Sequence, residues 1–360
     1  MMNRNAVTIT DISKRTGLSV YVISRALNGK SGVAQETRSR ILKVADEMGY
    51  VPNSKAQDLR TGRNRSITLL TAGMSNSYYL DLISGIESVL QGREESLFIA
   101  DLAVNGRYEE DNETSLLRRV AENRPGGIIS TLGLSDRSRR MLRGWGVPTI
   151  FVDSTPEVEG VLQEDSGDGF SYVTTDNVDA AEQLGAHLNE HGFRKWLLAI
   201  YPDIWNSRYA RERSLVSAAT KSGAEIRVIE CGNNEKDACA TMLNFMDTQG
   251  YEPDVVIAGN NPILLGVMSA FQTRGVRIPV DVGLVTFDDF AWSDLLSPRI
   301  TLVAEDSHLI GVNAANFLLE QIEEGKEASE GDGPTMMPKP VRRMIKSSLK
   351  VRESCGCLTR

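Results

Sequence analysis

The sequence predicts an all-α three-helix head carrying a helix-turn-helix, followed by an α/β body of two lobes. Three observations lead there. Residues 8 to 28 place two helical repeats on either side of Gly17. The charge changes sign after about residue 65. Beyond it, short apolar runs alternate with amphipathic stretches, the pattern of a parallel sheet covered by helices. The divisions expected are a head over 1–52, a hinge helix or linker over 53–65, the body over 66–354 and a tail over 355–360.

Thr8 suits an N-cap, and Asp11 three residues on makes a capping box with the shorter acid. Ile9, Ile12 and Thr16 then recur at helical spacing. Gly17 supplies the turn, Leu18 follows as an apolar plug, and Ser19 suits the cap of a second helix. In that helix Val22, Ile23, Ala26 and Leu27 fall on one side, and Val20, Tyr21, Ser24, Arg25 and Asn28 on the other. Tyr, Arg, Ser and Asn together on an open face suit base edges and phosphates, although an ordinary amphipathic helix pair would share the pattern. A third helix is expected from about Gln35 to Met48, with Ile41, Leu42, Ala45 and Met48 as its apolar face, Gly49 as its stop and Pro52 shortly after. Val33 and Tyr50 complete a small core.

Charge separates the parts. Residues 1–65 hold 12 Lys and Arg against 5 Asp and Glu, a net of +7, while the remainder holds 28 against 43, a net of −15. A basic head on an acidic body is the footprint of a nucleic-acid reader joined to something that does not touch DNA.

Residues 8 to 62 resemble the DNA-binding head of the lactose-repressor (LacI/GalR) family of bacterial transcription regulators. The matching residues are Thr8, Asp11-Ile12, Gly17-Leu18-Ser19, Ser24-Arg25, Leu27-Asn28, Thr37-Arg38, the run from Gly49 to Asn53, Ala56 and Leu59. A looser likeness continues to about Cys355. The resemblance implies that Val20, Tyr21 and Arg25 face bases, and that Thr8, Ser19, Ser24, Asn28, Thr37 and Tyr50 lie near phosphates. It also implies a hinge helix over Asn53 to Arg60 that folds on the operator, one from each subunit, with Leu59 wedged into the minor groove and Ala56 beside it. Such a wedge costs a few kcal/mol per base step, recovered through added contact, and coupled folding makes the segment a switch. On composition alone it is a polar linker.

In the body, apolar runs begin at Ser66, Leu97, Gly127, Thr149, Tyr172, Trp196, Ile226, Val255 and Gly283. Helical stretches are expected at 79–92, 111–123, 135–144, 178–191, 208–222, 235–249 and 262–274. The count is too large for one small sheet and suggests two similar lobes. The family's body is similar to type I periplasmic sugar-binding proteins, which implies two lobes around a ligand cleft and three crossovers, the first near Thr174 to Asp176. The Gly-, Glu- and Pro-rich stretch from Glu323 to Pro340 is expected to be an exposed loop.

Ligands in such folds sit at the carboxyl ends of strands. Tyr78, Tyr79, Arg213, Asn260 and Asp288 match positions that contact effector in the family, and Trp205 and Trp292 lie in nearby loops. Ser77 replaces the family's usual Pro, and Glu305-Asp306 stands where Gln-Pro is common. An Asp accepts two sugar hydroxyls, an Arg donates in a fork, and aromatic faces stack on sugar C–H surfaces. The expected effector is a sugar or sugar derivative, with a nucleobase as the alternative. Each residue also has a structural role open to it: a surface ion pair for Arg213, core packing for the tyrosines and tryptophans, a helix cap at Asp288-Asp289.

Enzymatic activity is not expected, because neither a phosphate-binding Gly-Lys-Ser/Thr loop, a dinucleotide fingerprint nor a nucleophile elbow occurs. No cofactor and no metal are expected. His187 and His191 lack the Glu of a zinc His-Glu-x-x-His motif. Cys355-Gly-Cys357 is metal-capable but sits in the tail without a second pair, and Cys231 and Cys239 are isolated, as in a reducing compartment. Without an apolar leader or an 18-residue apolar run, a cytoplasmic location is expected, which disfavours a secreted sugar-binding transport protein. The combined expectation is a homodimeric repressor on a near-palindromic double-stranded operator, with no membrane partner. Its interface would lie in the first lobe around Tyr79 to Gln91, and a small ligand would control DNA affinity. Both signs of control occur in the family. The segment after Leu349 lacks the heptads of a tetramer-forming coil.

Overall fold

The computed structural model describes residues 7–50, 66–74, 76–104, 107–108, 110–155, 169–248, 250–330 and 340–357. The hinge positions Asn53, Ala56 and Leu59 lie outside the described residues. The chain divides into two compact units, residues 1–64 and 65–360.

The head is built from α1 (Ile9–Thr16), α2 (Val20–Leu27) and α3 (Gln35–Glu47). Thr8 Oγ1 accepts the Asp11 N–H at 3.3 Å while the Thr8 N–H donates to Asp11 Oδ2 at 2.9 Å, a complete capping box. Gly17 takes φ 73° and ends α1, a conformation costly for any residue with a Cβ. Ile12, Ile23, Ala26, Ile41 and Ala45 form the buried core, with Leu18, Val33, Val44 and Tyr50 packed around it. Leu42, expected on the apolar face of α3, is 46 % exposed. Arg38 donates to the Ala26 carbonyl at 3.2 Å and Arg40 to that of Thr16 at 3.0 Å, so α3 ties down the ends of both preceding helices.

The body begins with β1 (Ser66–Thr71), α4 (Tyr78–Leu90), β2 (Ser96–Asp101) and the short hairpin β3 (Ala103–Val104) and β4 (Arg107–Tyr108). It continues through α5 (Glu110–Glu122), β5 (Gly127–Ser130), α6 (Asp136–Trp145), β6 (Thr149–Val152), β7 (Ser171–Thr175) and α7 (Asn177–Glu190). Then come β8 (Lys195–Ile200), α8 (Ser207–Ser222), β9 (Glu225–Glu230), α9 (Glu235–Thr248), β10 (Val255–Ala258), α10 (Asn261–Arg274) and β11 (Gly283–Phe287). The last elements are β12 (Thr301–Ala304), α11 (Ser307–Glu330), β13 (Arg342–Ile345) and β14 (Ser348–Lys350).

Two sheets result, in the orders β2-β1-β5-β6-β7-β13 and β9-β8-β10-β11-β12-β14. All pairings are parallel except that of β14 with β12. The inner strands β5, β6, β10 and β11 are buried throughout, because helices cover both faces. The chain passes between lobes three times: at Asp176 after β7, at Glu305-Asp306 after β12, and at Lys346-Ser347 between β13 and β14. The first crossing lies where expected.

Two expectations are corrected. The helix α11 runs through the start of the expected loop, to Glu330. Glu, Lys and Ala are strong helix formers, and Gly325 alone does not stop them. α11 packs on α4 so closely that a Cβ on Gly85 would collide with the His308 carbonyl. Residues 355–357, expected in a tail, are built into the second lobe: Cys355 is 1 % exposed, and the Leu284 N–H donates to the Ser354 carbonyl at 2.9 Å.

Candidate functional site

On the head, the outer face of α2 shows Val20 at 43 % and Tyr21 at 68 % exposure. Arg25 donates to the Tyr21 hydroxyl at 3.1 Å and through Nε to the Ser31 carbonyl at 3.0 Å, with its guanidinium 5.5 Å from the Tyr21 ring centroid. Tyr21 and Arg25 thus share one edge. Ser19 caps α2 by accepting the Val22 N–H, and Asn28 donates to the Ser24 carbonyl at 2.6 Å. Thr37 lies in the first turn of α3, and Tyr50 packs on the rim of the core. Lys14, Arg15, Lys30 and Lys43 are exposed around these elements.

The body holds a narrow cleft lined by Asn76, Tyr78, Tyr79, Asp153, Tyr201, Trp205, Arg211, Asn233, Asn260 and Asp288. Its walls follow the carboxyl ends of strands: Asn76 to Tyr79 after β1, Asp153 after β6, Tyr201 after β8, Asp288 after β11. β6 and β11 hold the same place in their sheets, so Asp153 and Asp288 are counterparts. Both adopt positive φ, 62° and 68°, rare for residues with a side chain and common at ligand sites.

Arg211 organises the cleft from α8. It donates to Asn177 Oδ1 at 2.8 Å and the Gly259 carbonyl at 2.9 Å, pairs with Glu305, and stands 3.8 Å from Asp288 Oδ1. Its guanidinium lies 4.4 Å from the Phe287 ring centroid. Hydrogen bonds cross between the lobes, among them Asn76 donating to Asp288 at 2.9 Å, Asn261 to Ser77 at 2.8 Å, and Asn206 to the Thr155 carbonyl at 2.7 Å.

Burial governs the electrostatics. It pushes Asp153 up to about 7, opposed by Arg211 and reinforced by Asp288. It also raises Glu305, against the pull of Arg211 and with the push of Asp288 and Asp153. Burial disfavours charge on Arg211, but Glu305, Tyr201, Asp288 and Asp153 outweigh it and keep the guanidinium protonated. Near neutral pH a part-protonated Asp153 therefore offers an O–H donor to the cleft. The Tyr78 hydroxyl is buried and meets no hydrogen-bond partner among the described residues.

Of the expected effector contacts, the structure brings Tyr78, Tyr79, Trp205, Asn260 and Asp288 together. Asn260 also caps α10 by accepting the Ile263 N–H at 3.2 Å. Arg213 and Trp292 are not brought to the cleft. Two residues along a helix turn the side chain by about 200°, so Arg211 points inward and Arg213 lies on the exposed face of α8. Trp292 stacks on Phe290 with ring centroids 4.0 Å apart. Asn76, Asp153, Tyr201, Arg211 and Asn233 were missed as lining residues. The buried series Ser207, Arg211, Leu215 and Ala219 on α8 was the available signal for Arg211, since its four-residue spacing excludes Arg213.

Comparison with known proteins agrees with this architecture. Residues 8–53 match the family model of bacterial regulatory proteins of the lacI family, and residues 64–338 match that of periplasmic binding proteins and the sugar binding domain of the LacI family. The HTH-type transcriptional regulator PtxS of Pseudomonas putida is 29 % identical over 323 residues, 89 % of this chain and 90 % of that protein. The lac repressor dimer bound to operator and the anti-inducer ONPF superposes with a TM-score of 0.78 at 20 % identity, covering 98 % of this chain and 99 % of that one. The transcriptional regulator CelR in complex with cellobiose gives 0.66 at 23 % identity, covering 97 % and 99 %. With its helix-turn-helix head and two-lobed body, this chain belongs to the LacI family of DNA-binding bacterial transcriptional regulators.

Proposed function

We propose that the protein is an operator-binding repressor whose DNA affinity is set by a sugar or sugar derivative held between the lobes of the body. The observation that carries the ligand class is the cleft wall itself. Arg211, Asp153 and Asp288 supply a fork of donors and facing carboxyls, and Tyr78, Tyr79 and Trp205 supply apolar faces. That mixture suits a small molecule with hydroxyls on its edges and C–H groups on its faces. The cellobiose in the related CelR complex supports the same chemical class.

On DNA, the outer edge of α2 would enter the major groove with Val20, Tyr21 and Arg25 toward the bases, while Thr8, Ser19, Ser24, Asn28, Thr37 and Tyr50 lie toward phosphates. Arg25 would exchange its Ser31 contact for a base edge. Asn53, Ala56 and Leu59 are assigned to the hinge. A homodimer on a near-palindromic operator follows from two-fold geometry, and the operator-bound lac repressor is a dimer. Leu80 on α4 and Phe98 and Ile99 on the edge strand β2 are exposed apolar side chains of the first lobe available to that contact. Ligand binding favours one lobe arrangement, and DNA affinity changes by the difference in binding energy between arrangements.

The test joins two assays on the full-length protein. In mobility shifts, Arg25→Ala should lose preference for operator over random duplex. In thermal shifts against sugars, sugar acids and nucleobases, a sugar-class compound should raise Tm in the native protein and not in Asp288→Ala, which should still retain operator. A response confined to nucleobases would overturn the sugar assignment, and unchanged specificity in the Arg25 variant would overturn the recognition helix.

A further inference from the structure

Away from the cleft, a second cluster joins the C-terminal turn to the end of α7. The sequence leaves Cys355 and Cys357 without partners; the fold supplies one in His187. All three are buried, at 1 %, 8 % and 6 % exposure. The two cysteines are not joined in a disulfide. One ligating atom from each residue lies within 4.8 Å of the other two, and Cys357 Sγ is 3.4 Å from His187 Nε2. A tetrahedral metal with bonds of about 2.3 Å to sulfur and about 2.0 Å to nitrogen sets such an edge at about 3.5 Å. That edge therefore already stands at the spacing that a shared ion imposes, with Cys355 Sγ within 4.8 Å of both atoms.

The backbone holds them there. Gly356 takes φ 74°, and a Cβ on it would lie 3.1 Å from Pro279 Cβ. The turn it makes lets the two flanking thiols face the same side. Ser354 anchors the turn by donating to the Leu284 carbonyl at 2.5 Å and accepting the Thr301 N–H at 2.8 Å, on strands β11 and β12. The ring of His191 packs against that of His187, with centroids 4.6 Å apart.

We propose that His187, Cys355 and Cys357 form a binding site for one thiophilic metal ion, of which Zn²⁺ is the representative. Two thiolates and an imidazole are donors for such ions and not for Mg²⁺ or Ca²⁺, which take oxygen. The bound ion would brace the C-terminal turn against α7. Asn177, at the other end of that helix, contacts Arg211; at 1.5 Å per residue the two ends are about 15 Å apart. The site is thus remote from the cleft.

The experiment uses the full-length protein, reduced and stripped of metal, titrated with Zn²⁺ against a chromophoric chelator and separately with Co²⁺. The expected results are Zn²⁺ uptake saturating at a single equivalent with a rise in Tm, and with Co²⁺ a thiolate-to-metal charge-transfer band with the same endpoint. Cys357→Ser and His187→Gln should lose both, and Cys239→Ser should keep both. Should a variant fail to fold, the Co²⁺ spectrum of the native chain decides alone: absence of the band leaves a metal-free S–H···N hydrogen bond and overturns the proposal. Uptake that survives in folded Cys357→Ser overturns it as well.

Discussion

Arg211 is one buried cation within reach of two buried carboxylates, Asp288 and Glu305, and its Coulombic field extends to a third, Asp153. Removing it strands negative charge in a low-dielectric site. Arg211→Ala should destabilise the body by about 3–5 kcal/mol, measured by urea unfolding, whereas Arg213→Ala should stay within about 0.5 kcal/mol. The Asp153 shift sets a pH dependence. Burial holds its pKa in the folded protein at about 7, above the ordinary aspartate value, so the folded protein keeps a proton that the unfolded chain has released. The resulting stability is full below about pH 4 and is lost as pH rises through about 7. Asp153→Asn should flatten that decline and exceed the native protein above pH 7 by on the order of a few kcal/mol. Tm measured against pH for both proteins checks it; parallel curves would show that Asp153 titrates normally.

Among the elements, the capping box of α1 gives the cleanest local test. Thr8→Ala removes the acceptor for the Asp11 N–H and should cost the head about 1 kcal/mol, read from its own calorimetric transition, while the body's transition stays fixed. The head was legible in the sequence because its signals are local: a cap, an αL glycine and two apolar stripes within twenty residues of one another. The inner strands were legible as continuous apolar runs. The strand β12, the helix α11 and the short edge strands were not. α11 opens directly from a crossover and closes in a Glu-rich stretch that composition alone assigns to a loop. The cleft was half legible. Strand-end positions such as Asp288 follow a rule of the architecture, but Asp153 and Tyr201 obey the same rule and were passed over. Choosing between Arg211 and Arg213 needed the helical phase. The His187–Cys357 contact joins residues 170 apart, beyond anything local spacing can show.

For the whole body, the bonds of Asn206 and Asn261 join the two lobes in the arrangement seen, here termed closed. Each is worth roughly 0.5–1.5 kcal/mol, so Asn206→Ala with Asn261→Ala should lower the closed population about tenfold relative to open. Small-angle scattering should report a larger radius of gyration, restored by saturating ligand; an unchanged radius would place the stability of closure elsewhere. Of the features described, the bonding of Arg211 has the widest reach. It holds Glu305, which also accepts the Thr175 hydroxyl at 2.8 Å, and it holds Asn177. Those three residues flank two of the crossings on which the jaws swing. Under the proposed function, bait and axle would be wired to one guanidinium, and a guest that engaged it would tug at the pivot itself.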